Sequence, residues 1–168
     1  MRRFLDCIYD AAGYLAAFFM VGILVMVLAS VVGRLVGFNL RGSDAYAGYC
    51  MAAASFLALA HTLKRGEHIR VNLFLDRFRA MRRPLELWSH AAGTFFCAAL
   101  AFYSVRLVWQ SHAYNDISQG NDATPLWIPQ IAMAAGAVTL LVAMLDDFIA
   151  VIAKRELATA SDELKAIE

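Results

Sequence analysis

Four long apolar runs, each almost free of ionisable side chains, alternate with short polar stretches along the chain. Residues 11–33 contain no Asp, Glu, Lys, Arg or His, and of these 45–63 contain only His61. Residues 87–105 are interrupted by His90 near their start, and 123–145 hold Pro125 and Pro129 but no charge. At 1.5 Å of rise per residue, a 19-residue helix is about 28 Å long, close to the roughly 30 Å hydrocarbon core of a bilayer. The pattern predicts an all-α integral membrane protein with four transmembrane helices, over about 11–36, 45–63, 85–107 and 126–148. They form a single membrane domain packed as a bundle, followed by a short tail at 154–168.

The second connection has a different period. Val71, Phe74, Phe78, Met81 and Leu85 recur at three- and four-residue steps, the spacing of one helical face. Arg70, Arg77, Arg79, Arg82 and Arg83 fill the other positions. Asn72 is suited to cap the start, and Asp76 sits in the first turn, where the helix dipole favours negative charge. This predicts an amphipathic interfacial helix over about 72–82, lying in the headgroup plane with its arginines toward anionic lipid or a partner subunit. Pro84 then suits the first turn of the third span.

Composition agrees with the pattern. Hydrophobic residues make up 61% of the 168 and charged residues 17%, with a mean hydropathy of +0.57. Soluble domains carry about 45–50% apolar and about 25% charged residues. The formal net charge of +1 offers no field for nucleic acid. Twelve of the fifteen basic residues fall before the first run, between the second and third, or after the fourth. The positive-inside rule therefore puts both termini in the cytoplasm. Arg2 and Arg3 precede the first run as in a signal peptide, but the run exceeds the about 7–15 residues of a cleavable apolar region and reads as a retained span. Cys7, Cys50 and Cys97 are far apart and show no paired or metal-binding spacing.

Candidate functional residues lie mostly near the span ends. Arg34 and Arg106 sit toward the non-cytoplasmic side, positioned to snorkel to headgroups or to pair with an acid such as Asp44 or Asp116. Asp146 and Asp147 close the fourth span, where a helix C-terminus disfavours negative charge, which calls for a basic partner such as the 77–83 arginines. Thr124 and Pro125 read as a cap and first helical position, and Trp127 as part of an interfacial aromatic belt. Small residues recur at four-residue steps: Ala29, Gly33 and Gly37; Gly48 and Ala52; Gly93, Cys97 and Ala101; Ala132 and Gly136. Such steps permit close helix contact in lipid. No acid lies mid-span, where an ion-coupled path would need one, and no nucleophile, phosphate-loop or metalloprotease motif occurs. These features describe a membrane subunit that works by binding another protein and needs no cofactor. Two alternatives remain: a respiratory membrane anchor holding haem between His61 and His90, and a self-associating four-span protein.

Three stretches resemble the small membrane subunit, DctQ type, of tripartite ATP-independent periplasmic (TRAP) transporters. The first runs from Val32-Gly33-Arg34 to Asp44 and an Ala-rich second span. The second is Lys64-Arg65-Gly66-Glu67-His68-Ile69-Arg70-Val71-Asn72, similar to a basic-Gly-x-His-x-x-Val-Asp/Asn element of that family. The third is Thr124-Pro125-Leu126-Trp127-Ile128-Pro129 with Gly136 downstream. Members often carry an aromatic residue and two acids before the second span, whereas Gly42-Ser43-Asp44-Ala45 offers one acid. Asn115-Asp116-Ile117-Ser118 loosely matches an acid-Ser element in the third connection. The resemblance implies a small permease subunit in a bacterial inner membrane. It would brace a large multi-span subunit that moves an organic acid, usually with sodium, after delivery by a periplasmic substrate-binding protein. Substrate and sodium sites would then lie in the large subunit. Arg34, Asp44, Arg70, Phe74, Arg77, Phe78, Arg82, Arg106, Trp127, Asp146 and Asp147 remain as candidates for partner or lipid contact.

Overall fold

A computed structural model describes residues 2–38, 42–64, 82–119 and 123–167. Among these residues it is all-helical, with α1 (Arg2–Val36), α2 (Ser43–Lys64), α3 (Arg82–Ala113) and α4 (Trp127–Ile167). Each is long and apolar enough to cross a membrane. The segment read as an interfacial helix, with Arg70, Phe74, Arg77 and Phe78, lies outside the described residues. Arg82 is described only as the first residue of α3. α4 continues as helix well beyond Asp147, through the segment read as a tail.

The helix ends follow from local chemistry. Gly37 takes φ +81°, a left-handed conformation that costs glycine little, directly after α1. The Phe38 amide donates to the Gly33 carbonyl (2.8 Å) and the Gly37 amide to Arg34 (3.4 Å), closing a Schellman motif. Gly37, grouped above with a packing stripe, is thus a cap. Asn115 does the same for α3 at φ 52°. Asp116 there donates to Ser111 (3.0 Å) and Asn115 to His112 (3.4 Å). At α4 the sequence-based cap is displaced. Thr124 and Pro125 remain extended, and Pro125 forms an isolated antiparallel bridge with Ile117. The helix starts at Trp127, with the Gln130 amide donating to the Leu126 carbonyl. Pro129 then occupies the first turn, where an N–H would have no intrahelical partner.

The helices do not close into the compact bundle that the hydropathy pattern suggested. α1 packs on α2, α2 on α4, and α4 on α3, while α1 touches α4 only slightly. Among the described residues α3 meets no helix but α4. The result is an open array in the order α1, α2, α4, α3. Its two central helices run parallel, since Tyr46 meets Thr124 at one end and Lys64 meets Asp146 and Asp147 at the other.

Small residues hold the centre together. Ala60, Ala137 and Ala143 are fully buried, and Ala53, Ala54, Leu57 and Leu140 nearly so. A Cβ added at Gly136 would stand 2.5 Å from the Phe56 carbonyl carbon and 2.8 Å from the Leu57 nitrogen. The α4 backbone therefore lies against the α2 backbone at that point, the close approach that substitutes for a hydrophobic drive in lipid. Gly48, by contrast, faces open space. On the other side, Ala12 and Ala16 of α1 pack on Leu57.

Candidate partner interface

Two polar clusters fasten the ends of the array. Where α1 begins, Lys64 at the last residue of α2 bridges both acids of α4, donating to Asp146 Oδ2 and, at 3.1 Å, to Asp147 Oδ1. Its ammonium also lies 5.4 Å from the centre of the buried Tyr9 ring. One cation thus offsets two carboxylates midway along α4, and three helices meet around it in the Tyr9, Ala60 and Ala143 cluster. Beside them His61 packs on Gly13. Its Nδ1 lies 3.2 Å from the Tyr9 carbonyl oxygen, which can only accept, so Nδ1 carries the proton; Asp10 Oδ1 is 3.6 Å away.

At the opposite end, the Tyr46 and Thr124 hydroxyls share a 3.0 Å hydrogen bond, and the Tyr49 hydroxyl donates to Ser118 Oγ at 2.8 Å. The Ser118 amide donates to the Thr124 carbonyl and the Leu126 amide to the Asp116 carbonyl. The α3–α4 connection is thereby folded onto the start of α2. Trp127 sits edge-on to His112, with ring centres 5.3 Å apart.

The candidate residues fall into three groups. Asp146 and Asp147 are joined, but to Lys64 of α2. The 77–81 arginines lie outside the described residues, and Arg82 and Arg83 are placed only as the start of α3. Arg34 reaches back one turn to donate to Ser30 Oγ at 3.2 Å. That is the direction in which helical side chains lean, away from the near helix end. Asp44 is exposed in the first turn of α2, where the dipole favours an acid. Among the described residues neither Arg34 nor Arg106 forms an ion pair with Asp44 or Asp116. His61 faces α1 while His90 stands on α3, and these helices are two places apart or more in the array. The geometry does not bring the two histidines together across a haem.

Arg106 is exposed at an unexpected depth. The His112–Trp127 contact, together with the approach of Gly93 to Met144, aligns α3 antiparallel to α4. Six residues from His112, Arg106 lies about 9 Å deeper than that level. Trp127 to Asp146 spans about 28 Å of helix, so Arg106 is nearer the middle of the span than its edge. An arginine at the centre of a transmembrane helix costs about 2.5–3.5 kcal/mol on insertion scales.

The remaining surface is apolar and broad. Only 6% of the most apolar stretch of α1 and 11% of that of α3 is buried. A groove of about 720 Å³ runs between α3 and α4, lined by Trp109, His112, Trp127, Val138 and Thr139 among others.

The chain matches, over residues 23–154, the family described as tripartite ATP-independent periplasmic transporters, DctQ component. It belongs to this family. No individual curated protein matches it. The DctQ protein is therefore a multi-pass transporter component, the small subunit of a TRAP system that also comprises a large membrane subunit and a periplasmic binding protein. The match covers α2, α3, the C-terminal part of α1 from Ile23 and α4 through Lys154, so the α2–α4 contacts lie within it, whereas Tyr9, Ala12, Gly13 and Ala16 of α1 precede it.

Sequence reasoning missed Lys64 as the partner of the α4 acids and Tyr46 and Tyr49 as clamps on the third connection. Lys64 carried a usable signal: it ends the second span as Asp146 ends the fourth, so the three charges share one depth if the helices alternate in direction. The tyrosines carried no comparable signal, because serine and threonine partners are too common to single out.

Proposed function

We propose that this DctQ subunit braces the large membrane subunit during sodium-driven uptake of an organic acid, captured by a periplasmic binding protein and delivered to the complex. In this reading both termini lie in the cytoplasm, the membrane is the bacterial inner membrane, and the amphipathic pattern of the sequence at 72–82 suits contact with its cytoplasmic surface. The observation that carries the reading is the open array. Its centre is locked by backbone-close packing and by charge and hydroxyl clamps at both ends, yet α1 and α3 leave most of their span surface unburied. A rigid centre with free flanks suits a brace held against a moving neighbour. The mid-span region presents no acid with which to bind sodium, in keeping with coupling in the large subunit.

The test is isolation of the tagged chain from native membranes in mild detergent, followed by reconstitution. The expected result is stoichiometric copurification of a much larger multi-span protein. Solute uptake should require both subunits and the binding protein, and should be absent with the chain alone. Uptake by the chain alone, or a chain without a companion under conditions that preserve other complexes, would overturn the reading. Soret absorbance in the purified chain from haem-replete cells would favour the respiratory-anchor alternative. Topology is read separately, by impermeant maleimide labelling of cysteines placed near Gly42 and after Lys154: only the first should react in intact cells.

A further inference from the structure

Resting on the small-subunit reading above, we infer that the outward face of α3 is the docking seam for a membrane-spanning helix of the large subunit, and that this helix carries a carboxylate at the depth of Arg106. Trp88, Phe95, Phe102 and Trp109 are spaced by seven residues and are 74%, 70%, 63% and 75% exposed. A seven-residue step falls about 20° short of two full helical turns, so these rings form one nearly straight stripe along the helix. That is the geometry of a seam with a second helix crossing at a shallow angle. Apart from Trp109, which also borders the α3–α4 groove, the stripe lies opposite the face that α3 turns to α4, where Ala101, Ser104 and Ser111 are buried.

Chemistry chooses between a helix and lipid. Arg106 stands inside the stripe, between Phe102 and Trp109, with Tyr103 one turn before and Gln110 one turn after. None of these three polar side chains has a hydrogen-bond partner among the described residues. Acyl chains offer no acceptor to a guanidinium or a phenol. The headgroups nearest to Arg106 lie toward the C-terminal end of α3, whereas a helical side chain leans toward the N-terminus. An aromatic belt would place its rings at the membrane boundaries, but Phe102 and Tyr103 occupy the middle of the span. A neighbouring helix with small residues between the rings and an Asp or Glu opposite Arg106 satisfies all of these groups together.

The test uses the full chain in its native membranes. A p-benzoylphenylalanine replacing Phe102 is expected to crosslink to the large multi-span subunit, and the adduct peptide to contain a spanning segment with Asp or Glu. The same probe replacing Leu24 on α1 supplies the comparison. Arg106→Gln should lower recovery of the large subunit at least tenfold at unchanged chain level, while Arg106→Lys retains most of it. If Arg106→Gln fails to accumulate, the crosslink in the otherwise unaltered chain decides. A phospholipid adduct alone at position 102, an adduct span without an acid, or undiminished recovery with Arg106→Gln would overturn the inference while leaving the small-subunit reading intact. Failure of the unaltered chain to recover any large subunit would overturn both.

Discussion

Replacing Gly136 with alanine probes the contact on which the array depends. The new Cβ would meet the Phe56 carbonyl carbon and oxygen at 2.5 and 2.6 Å and the Leu57 nitrogen at 2.8 Å. All three are backbone atoms of α2, so no side-chain rotation relieves the overlap. To reach ordinary contact the two central helices must separate locally by about 1 Å. A gap of 0.5–1 Å forfeits roughly a quarter to a half of each dispersion contact, and the loss extends to the neighbouring Ala53, Ala60, Ala137 and Leu140. Overpacking of this kind costs about 1–3 kcal/mol, and rigid backbone atoms place it at the upper end. Alanine recovers up to about 1 kcal/mol through its higher helix propensity, leaving a net loss of about 2 kcal/mol. Gly48→Ala is the matched control, because nothing lies within 4 Å of its Cβ position. It should be neutral or slightly stabilising. Both variants would be unfolded by titrating SDS into mixed micelles, with helix content and α2–α4 energy transfer as the two signals. Gly136→Ala within 0.5 kcal/mol of the parent, or Gly48→Ala equally damaged, would refute the close backbone approach.

Other perturbations test other parts of the fold. Lys64→Met leaves Asp146 and Asp147 without their cation. In the same titration it should cost more than the about 0.2–1 kcal/mol of an exposed pair but less than the about 3–5 kcal/mol of a fully buried one, with partial recovery on adding Asp146→Asn. Asn115→Gly should be tolerated because glycine accepts the left-handed conformation. Asn115→Val should lose about 1–2 kcal/mol, and equal stability of the two would remove the Schellman assignment at α3. Tyr46→Phe and Thr124→Val, combined in a double-mutant cycle, should show a coupling of about 0.5–1.5 kcal/mol; additive effects would mean the two hydroxyls are not bonded. The amphipathic reading of 72–82 predicts that Phe74→Asp with Phe78→Asp lowers recovery of the large subunit, measured by the same pull-down, and unchanged recovery with unchanged uptake would remove that segment from the proposal.

Much of the fold was legible because a bilayer punishes ionised groups, so gaps in the charge pattern mark the spans directly. The helix ends were harder. Gly33 and Gly37 share a four-residue step with Ala29, yet only Gly37 takes positive φ, and spacing cannot separate a packing glycine from a capping one. Thr124-Pro125 has the composition of a helix start, but Tyr46 and Ser118 engage Thr124 and draw those residues into a bridged turn. Helix adjacency was the least legible feature. Gly136 announced a close approach without naming α2 as its partner, and Lys64 finds its acids 82 and 83 residues away. Arg34 and Asp44 were legible as charges near span ends, whereas Asp146 and Asp147 turn inward to Lys64. The depth of Arg106 was not, because it depends on the register of α3 against α4.

The order α1, α2, α4, α3 also constrains assembly. When the third helix has left the ribosome, it has no neighbour in the finished array with which to pack, since among the described residues it contacts no helix but the fourth. Until α4 inserts, the nascent protein is an α1–α2 hairpin and a solitary α3, held by connection and lipid alone. The last helix must then enter between them, setting its Gly136 against Phe56 and Leu57 of α2 on one side and its Met144 against Gly93 of α3 on the other. Quality control in the membrane would therefore meet two unjoined pieces in any product that stops before α4, with Asp146 and Asp147, midway along that helix, supplying the final check on Lys64.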